Sequence, residues 1–237
     1  SGARDFARCS RPILAAIPYE DRVAQIDLMG ERLRSRFGVR PRGLWLAERV
    51  WDPAIVPALA AAGLAYVLMD DRAFLASGFS VDRLHDYYLP EADGRTVAVF
   101  PIDQALRYLI PFRPPAEIED YLRRIVETGG RLAIAADDGE KFGGWPHTSK
   151  WVYEDGWLKG FLDLLEGTAD WIVSQTAGEA LDGLRPAGLC YLPTSSYGEM
   201  EEWALGHEEG RRFAQVKARL GADVDRFTAH IRGGHWK

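Results

Sequence analysis

Gly43-Leu-Trp-Leu-Ala-Glu-Arg-Val-Trp-Asp-Pro53 runs an apolar segment straight onto an acid. Residues 44–47 have the length and composition of a short strand. Glu48 follows, Arg49 stands beside it, and Trp45 and Trp51 flank the pair. Pro53 suits the first turn of a helix with Asp52 as its cap, and Gly63 stops that helix. The same order of apolar run, acid and helix recurs along the chain. Residues 66–69 lead to Asp70 and Asp71, residues 97–102 to Asp103, and residues 132–136 to Asp137 and Asp138.

The segments between these runs read as helices. Residues 21–37 place Val23, Ile26, Met29 or Leu33, and Phe37 on one stripe, with Gly38 as the C-terminal stop. Residues 116–128 are amphipathic and end at Gly129-Gly130, and residues 157–165 are helical again. Residues 171–173 and 189–192 read as short strands around a further helix. Apolar runs alternating with helices indicate βαβ units and a parallel sheet, and their repetition favours a (β/α) barrel over a doubly wound sheet. No glycine-rich dinucleotide fingerprint and no phosphate-binding loop follows any strand. From residue 208 to residue 230 the pattern is helical and charged, so residues 1–200 are expected to form the barrel region and 201–237 to begin a helical one.

Composition narrows the function. The 237 residues are 47% hydrophobic, enough for one large domain with a core. A net charge of -6 opposes nucleic-acid binding, which needs a basic surface. No apolar run is long enough to cross a bilayer, and residues 1–8 lack the apolar centre of a signal peptide, so a cytoplasmic location is expected. Cys9 and Cys190 read as free thiols. No histidine pair has ligand spacing, and neither a metal nor another cofactor is expected. His85 and His207 lie in polar surroundings and read as surface residues, His235 sits at the terminus, and His147 alone adjoins a motif. Nothing in the sequence sets an oligomeric state.

In a parallel barrel, residues just past the strand ends line one face. Glu48, Asp70, Asp71, Asp103, Asp137 and Asp138 all fall there. Most acids after a strand are helix caps, a role that suits Asp52 and either Asp70 or Asp71. Two carboxylates in different surroundings are what glycoside hydrolysis requires, one at the anomeric carbon and one donating a proton to the leaving oxygen. Trp45, Trp51, Trp145 and Trp151 could offer flat faces to sugar rings, while Trp157 and Trp171 read as core.

The stretch 43–53 and Asp137-Asp-Gly-Glu-Lys-Phe-Gly-Gly-Trp-Pro146 together resemble two signature regions of glycoside hydrolase family 57. The resemblance extends to residues 12–18, 99–102, 106–112 and 192–200, and is nearest the 4-α-glucanotransferase and α-amylase branch. It implies an incomplete (β/α)7 barrel of α/β class, followed by a helical region that completes a cleft. It also implies a retaining reaction on α-1,4-glucans or maltooligosaccharides, with Glu48 as nucleophile and Asp138 as general acid/base. Trp45, Arg49, Trp51, Asp137, Glu140, Lys141, Trp145 and His147 are the substrate-side residues. Arg72 and Ala73 stand where the family usually has an aromatic and a histidine, and Asp52 where it has glutamate. The family's N-terminal histidine motif does not precede Pro12, and residues 233–237 resemble the opening of its last signature region. A truncated internal fragment is therefore expected. The alternatives are a catalytically incomplete glucan-binding domain and a glucan-branching enzyme.

Overall fold

The computed structural model describes residues 12–230; Cys9, His235 and residues 233–237 lie outside them. Helix α1, Tyr19–Phe37, carries Glu20 and Asp21 in its first turn and Arg34 and Arg36 in its last, opposing the helix dipole at each end. Gly38, at φ 79°, closes it and returns its N–H to the carbonyl of Arg34. Ile26 turns inward as its spacing predicts, but Phe37 is exposed in the last turn.

Strand β1, Gly43–Trp45, is followed by a tight turn over Ala47–Arg49 and a 3-10 turn, Pro53–Ile55, that opens helix α2, Val56–Ala61. Asp52 caps this entry, accepting from the Ala54 N–H at 2.8 Å. Strand β2, Tyr66–Asp70, leads into helix α3, Arg72–Ala76. Strands β3, Leu89–Ala92, and β4, Arg95–Thr96, form an antiparallel hairpin. Its loop, Asp93-Gly94, has positive φ at both residues, the geometry that matches strand twist in two-residue hairpins. Strand β5, Ala98–Ile102, then leads into helix α4, Gln104–Leu109, capped by Asp103.

Strands β1, β2 and β5 form one parallel sheet in that order, with Gly43 opposite Tyr66 and Tyr66 opposite Ala98. Both of its faces are covered, as in parallel sheets generally. Val67, Met69 and Val99 point into a cluster with Trp51, Leu59 and Phe74. Leu68, Ala98 and Phe100 point into another with Tyr87, whose ring stacks on Phe100 at 5.0 Å. The two sides explain why these runs read as continuous rather than alternating apolar sequence.

Helix α5, Pro115–Glu127, packs with helix α6, Trp157–Gly167, around Leu106, Ile118, Val152 and Trp157. Helix α7, Ala177–Gly183, begins with a capping box between Thr176 and Glu179. Strand β6, Leu189–Cys190, pairs with β3, and helix α8, His207–His230, follows. Two strand expectations differ from the structure. Residues 132–136 are joined to β5 among the described residues by one backbone bond, Asp103 N–H to Ile134 O at 3.0 Å, and form no ladder. Residues 171–173 form none either. None of the described helices is long and apolar enough to cross a membrane.

Gly43 starts β1 directly across from the Tyr66 ring. A Cβ there would stand 2.2 Å from Tyr66 Cε2 and Cζ, so the ring would have to leave its place on the sheet. Gly43→Ala is expected to destabilise the fold by about 1–3 kcal/mol, the usual cost of overpacking. Thermal unfolding of this variant beside wild type measures it, and an unchanged Tm would mean that the ring moves without cost.

Candidate active site

The ends of β1, β2 and β5 deliver Glu48, Asp70, Asp71 and Asp103 to one edge of the sheet, as the strand-end pattern predicts. Asp70 is a buried charge and needs a counter-ion. It accepts from Arg49 Nη1 at 3.0 Å, with both side chains less than 9% exposed. Arg107, from α4, approaches Asp70 at 3.8 Å and Asp137 Oδ1 at 3.4 Å. Lys141 pairs with Asp137 and donates to the Arg107 carbonyl at 2.8 Å. A relay of opposite charges, buried at Arg49, Asp70 and Lys141 and partly buried at Arg107 and Asp137, therefore joins the two acid motifs.

Glu48 and Arg49 both have left-handed backbone, at φ 51° and 50°. Side chains with a Cβ disfavour this region, and the segment Leu192–Tyr197 holds it. Trp51 and Ser195 exchange backbone bonds at 2.8 and 3.0 Å, and Thr194 donates to Asp52 at 2.8 Å. Ser196 Oγ donates to the Glu48 carbonyl, and the Tyr197 hydroxyl to Glu48 Oε2, both at 2.7 Å. The guanidinium of Arg49 lies 3.8 Å from the centre of the Tyr197 ring. The Glu48 carboxyl is thus exposed but held on one oxygen.

Around the second motif, Asp137 and Asp138 have different surroundings. Asp137 is enclosed by Arg107 and Lys141, and its Oδ1 also accepts from the Asp138 N–H at 2.9 Å. Asp138 is exposed and makes no side-chain cap bond to the turn Gly139–Phe142 that follows it. The carbonyl of Glu140 accepts from Gly144 and Trp145 N–H, and Thr148 Oγ1 donates to the Trp145 carbonyl at 2.7 Å. These bonds set the exposed Trp145 indole, which stacks on Phe112 at 5.7 Å and 25°. The Lys141 ammonium lies beneath both rings, 5.3 and 5.6 Å from their centres. Glu140 and His147 are exposed beside them, His147 with φ 65°.

Most of the residues selected from sequence lie along this edge, with corrections in detail. Trp45 is exposed at the end of β1 and can present a face. Trp51 cannot, because it is 0% exposed and donates its indole N–H to the Leu192 carbonyl at 3.3 Å. It is the core wedge behind Glu48. Trp151 is half-buried and donates to the Pro111 carbonyl. Trp157 is core, whereas Trp171 is partly exposed with Arg123 over its ring. Arg72 pairs with Glu201 at 2.7 Å. His85 is buried, with Nδ1 3.8 Å from Asp103, and burial holds its pKa down. Its polar sequence neighbours misrepresent its place, because α5 covers it with Tyr121, which donates to Asp103 at 2.8 Å. The sequence reading missed Ser196, Tyr197, Arg107 and Phe112. The available signal was that these residues fall in stretches 106–112 and 192–200, which already carried the family resemblance.

Asp71 lies behind the relay. One of its oxygens accepts weakly from the Gln104 N–H at 3.4 Å, and the other is buried without a partner. Burial, and then the charge of Asp70, push its pKa up to about 6. Among the described residues, no group of three or more His, Cys, Asp or Glu side chains is placed to hold a metal ion.

A sequence profile described as glycosyl hydrolase family 57 matches residues 9–193. The 4-α-glucanotransferase of Thermococcus kodakarensis is 44% identical over 229 residues, 95% of this chain and 35% of that protein. The α-amylase of Pyrococcus furiosus is 43% identical over the same shares of the two chains. The crystal structure of the Thermococcus litoralis 4-α-glucanotransferase superposes with a TM-score of 0.76 at 41% identity, covering 95% of this chain and 36% of that one. The chain thus spans about a third of the length of these relatives.

The raised pKa of Asp71 makes one pH-dependent contribution to stability. Folding raises it from 3.8 to about 6, so between those values the native state binds more protons than the unfolded chain. Stability contributed by neutral Asp71 is full below about pH 4 and is lost as pH rises through 6. Asp71→Asn keeps the neutral form at every pH. It is expected to be more stable than wild type by up to about 3 kcal/mol at pH 8, with the gap closing near pH 4. Denaturant unfolding across pH measures the gap, and a pH-independent difference would contradict it.

Proposed function

The chain belongs to glycosyl hydrolase family 57, and on that premise we propose that it takes part in retaining cleavage and transfer of α-1,4-glucans, with Glu48 as nucleophile and Asp138 as general acid and base. The observation that carries this reading is the contrast between the two aspartates. Asp137 is committed to Arg107 and Lys141, while its neighbour Asp138 is exposed and makes no side-chain cap bond to the turn that follows it. Glu48, tied on Oε2, has Oε1 open for attack.

The steps follow from those positions. Glu48 Oε1 attacks the anomeric carbon as the bond to the leaving oxygen breaks, and Asp138 gives that oxygen its proton. This leaves a covalent glycosyl ester on Glu48 and an ionised Asp138. Asp138 then takes a proton from the incoming hydroxyl, whose oxygen displaces Glu48 and restores the original anomeric configuration. A sugar hydroxyl gives transfer and water gives hydrolysis. The similarity to both a 4-α-glucanotransferase and α-amylases supports an α-glucan as substrate. Trp45 and the Trp145–Phe112 stack offer aromatic faces to pyranose rings, with Arg49, Asp137, Glu140, Lys141 and His147 as the polar side of the cleft. In the same reading the parallel sheet is part of an incomplete (β/α)7 barrel within residues 1–200, and α8 begins the helical region.

Incubation with maltooligosaccharides tests this. Asp138→Asn is expected to slow turnover by about 10²- to 10⁴-fold, the range for losing a general acid, and Glu48→Gln by at least as much. Early products read by NMR are expected to keep the α configuration. Added azide is expected to restore turnover of Glu48→Ala while giving the inverted β-glycosyl azide. Activity that persists in Glu48→Gln would sink the assignment. Glucan binding by a wild type that never turns over would favour the non-catalytic reading.

A further inference from the structure

The bond from the Tyr197 hydroxyl to Glu48 has no counterpart in the two-carboxylate scheme. Resting on the reading above, we propose that Tyr197 is a positioning residue for the Glu48 nucleophile: it holds Oε2 so that Oε1 meets the anomeric carbon. Two independent restraints fix the phenol. Its strap is stitched to the Glu48 segment through Ser195 to Trp51, Ser196 to the Glu48 carbonyl and Thr194 to Asp52. Its ring carries the Arg49 guanidinium at 3.8 Å, and Arg49 is held by the buried Asp70. The ring orientation is therefore set by the charge relay rather than by the exposed carboxylate it serves.

An exposed glutamate has several rotamers of similar energy, and only those that put a carboxylate oxygen on the attack line react. A 2.7 Å hydrogen bond to Oε2 selects among them before substrate arrives. Toward Glu48 the hydroxyl is the donor, since the carboxylate oxygen accepts. Burial and the adjoining Glu48 charge keep its pKa above the usual phenol value, so it remains protonated at neutral pH. When Oε1 forms the glycosyl ester, Oε2 becomes the ester carbonyl oxygen and the bond weakens. When the acceptor displaces Glu48, the charge returns to a carboxylate that already has its donor in place. Tyr197 thus acts in both halves of the reaction without touching the sugar.

Tyr197→Phe removes the hydroxyl and leaves the ring under Arg49. A maltosyl α-fluoride is the suitable probe, because its leaving group needs no protonation and the first step then depends on Glu48 and not on Asp138. Relative to wild type, kcat is expected to fall about 10- to 100-fold, the scale of a hydrogen bond to a charged group, with KM within about twofold and Tm unchanged. Tyr197→Ala removes the ring as well and is expected to lower Tm in addition. A kcat for Tyr197→Phe within twofold of wild type would overturn the positioning role. So would a loss matched by a lowered Tm and a raised KM, which marks a merely structural residue. Failure of the parent reading looks different: wild type leaves the fluoride intact, or Glu48→Gln consumes it at the wild-type rate.

Discussion

The pairing of Arg49 with Asp70 is the contact on which the site's geometry depends. Both side chains are withdrawn from water, at 8% and 7% exposure. A buried ion pair is poor evidence of stability, since desolvation can exceed the attraction. Its effect here is on position. Arg49 belongs to the segment that bears Glu48, and Asp70 ends the neighbouring strand, so the pair fixes the Glu48 turn to the sheet at one depth. Arg107 and Lys141 extend the constraint to Asp137. Removing Asp70 would leave the buried Arg49 without its counter-ion, and removing Asp137 would do the same to the buried Lys141, which costs more than either pair itself contributes. The relay is therefore stiff against change, and Asp71 shows the local limit of that arrangement. Burial first, and then the charge of the adjacent Asp70, drive Asp71 toward its neutral form, and Arg107 offsets this only in part.

The same contact sets the strained backbone. Two successive non-glycine residues with positive φ cost on the order of 1–3 kcal/mol each, and such strain persists only where the surroundings over-determine it. Arg49 is pinned by Asp70 on one side and the Tyr197 ring on the other, and the Glu48 carbonyl is held by Ser196. Trp51, inserted in the core two residues later, anchors the far end. The consequence is a side chain thrown outward from the sheet edge on a backbone that has little freedom.

What could be read in the sequence follows the physics of each feature. Helix α1 with its Gly38 stop, the Asp52-Pro53 helix entry and the acids after β2 and β5 are local, because capping, φ preference and apolar runs act within a few residues. The burial of His85 is not local: its sequence neighbours are polar, and the residue that covers it, Tyr121, lies on a helix far along the chain. Trp51 illustrates the same limit. Its spacing from Trp45 suggested two walls of one pocket, but β1 sends Trp45 to the surface while the turn returns Trp51 to the core. Residues 132–136 have a strand's composition, yet strand formation needs a partner in register, and one bond to β5 supplies little of that ladder. Tyr197 could be found only through the fold, since a hydroxyl that serves an acid has no spacing of its own.

Adjacent aspartates 137 and 138 show how one local sequence yields two chemistries. They share a residue type and stand side by side ahead of the same turn, so residue type cannot separate them. The fold does, by placing Arg107 and Lys141 on one side of the chain only. Because successive residues in extended backbone point in opposite directions, the acid that faces those cations must be followed by one that faces away. Asp137 is held between Arg107 and Lys141, and Asp138 is exposed to solvent. Exchanging the two roles would require only that the cations lie on the other face. The different surroundings of the two acids are thus set by helix α4 and the turn bearing Lys141.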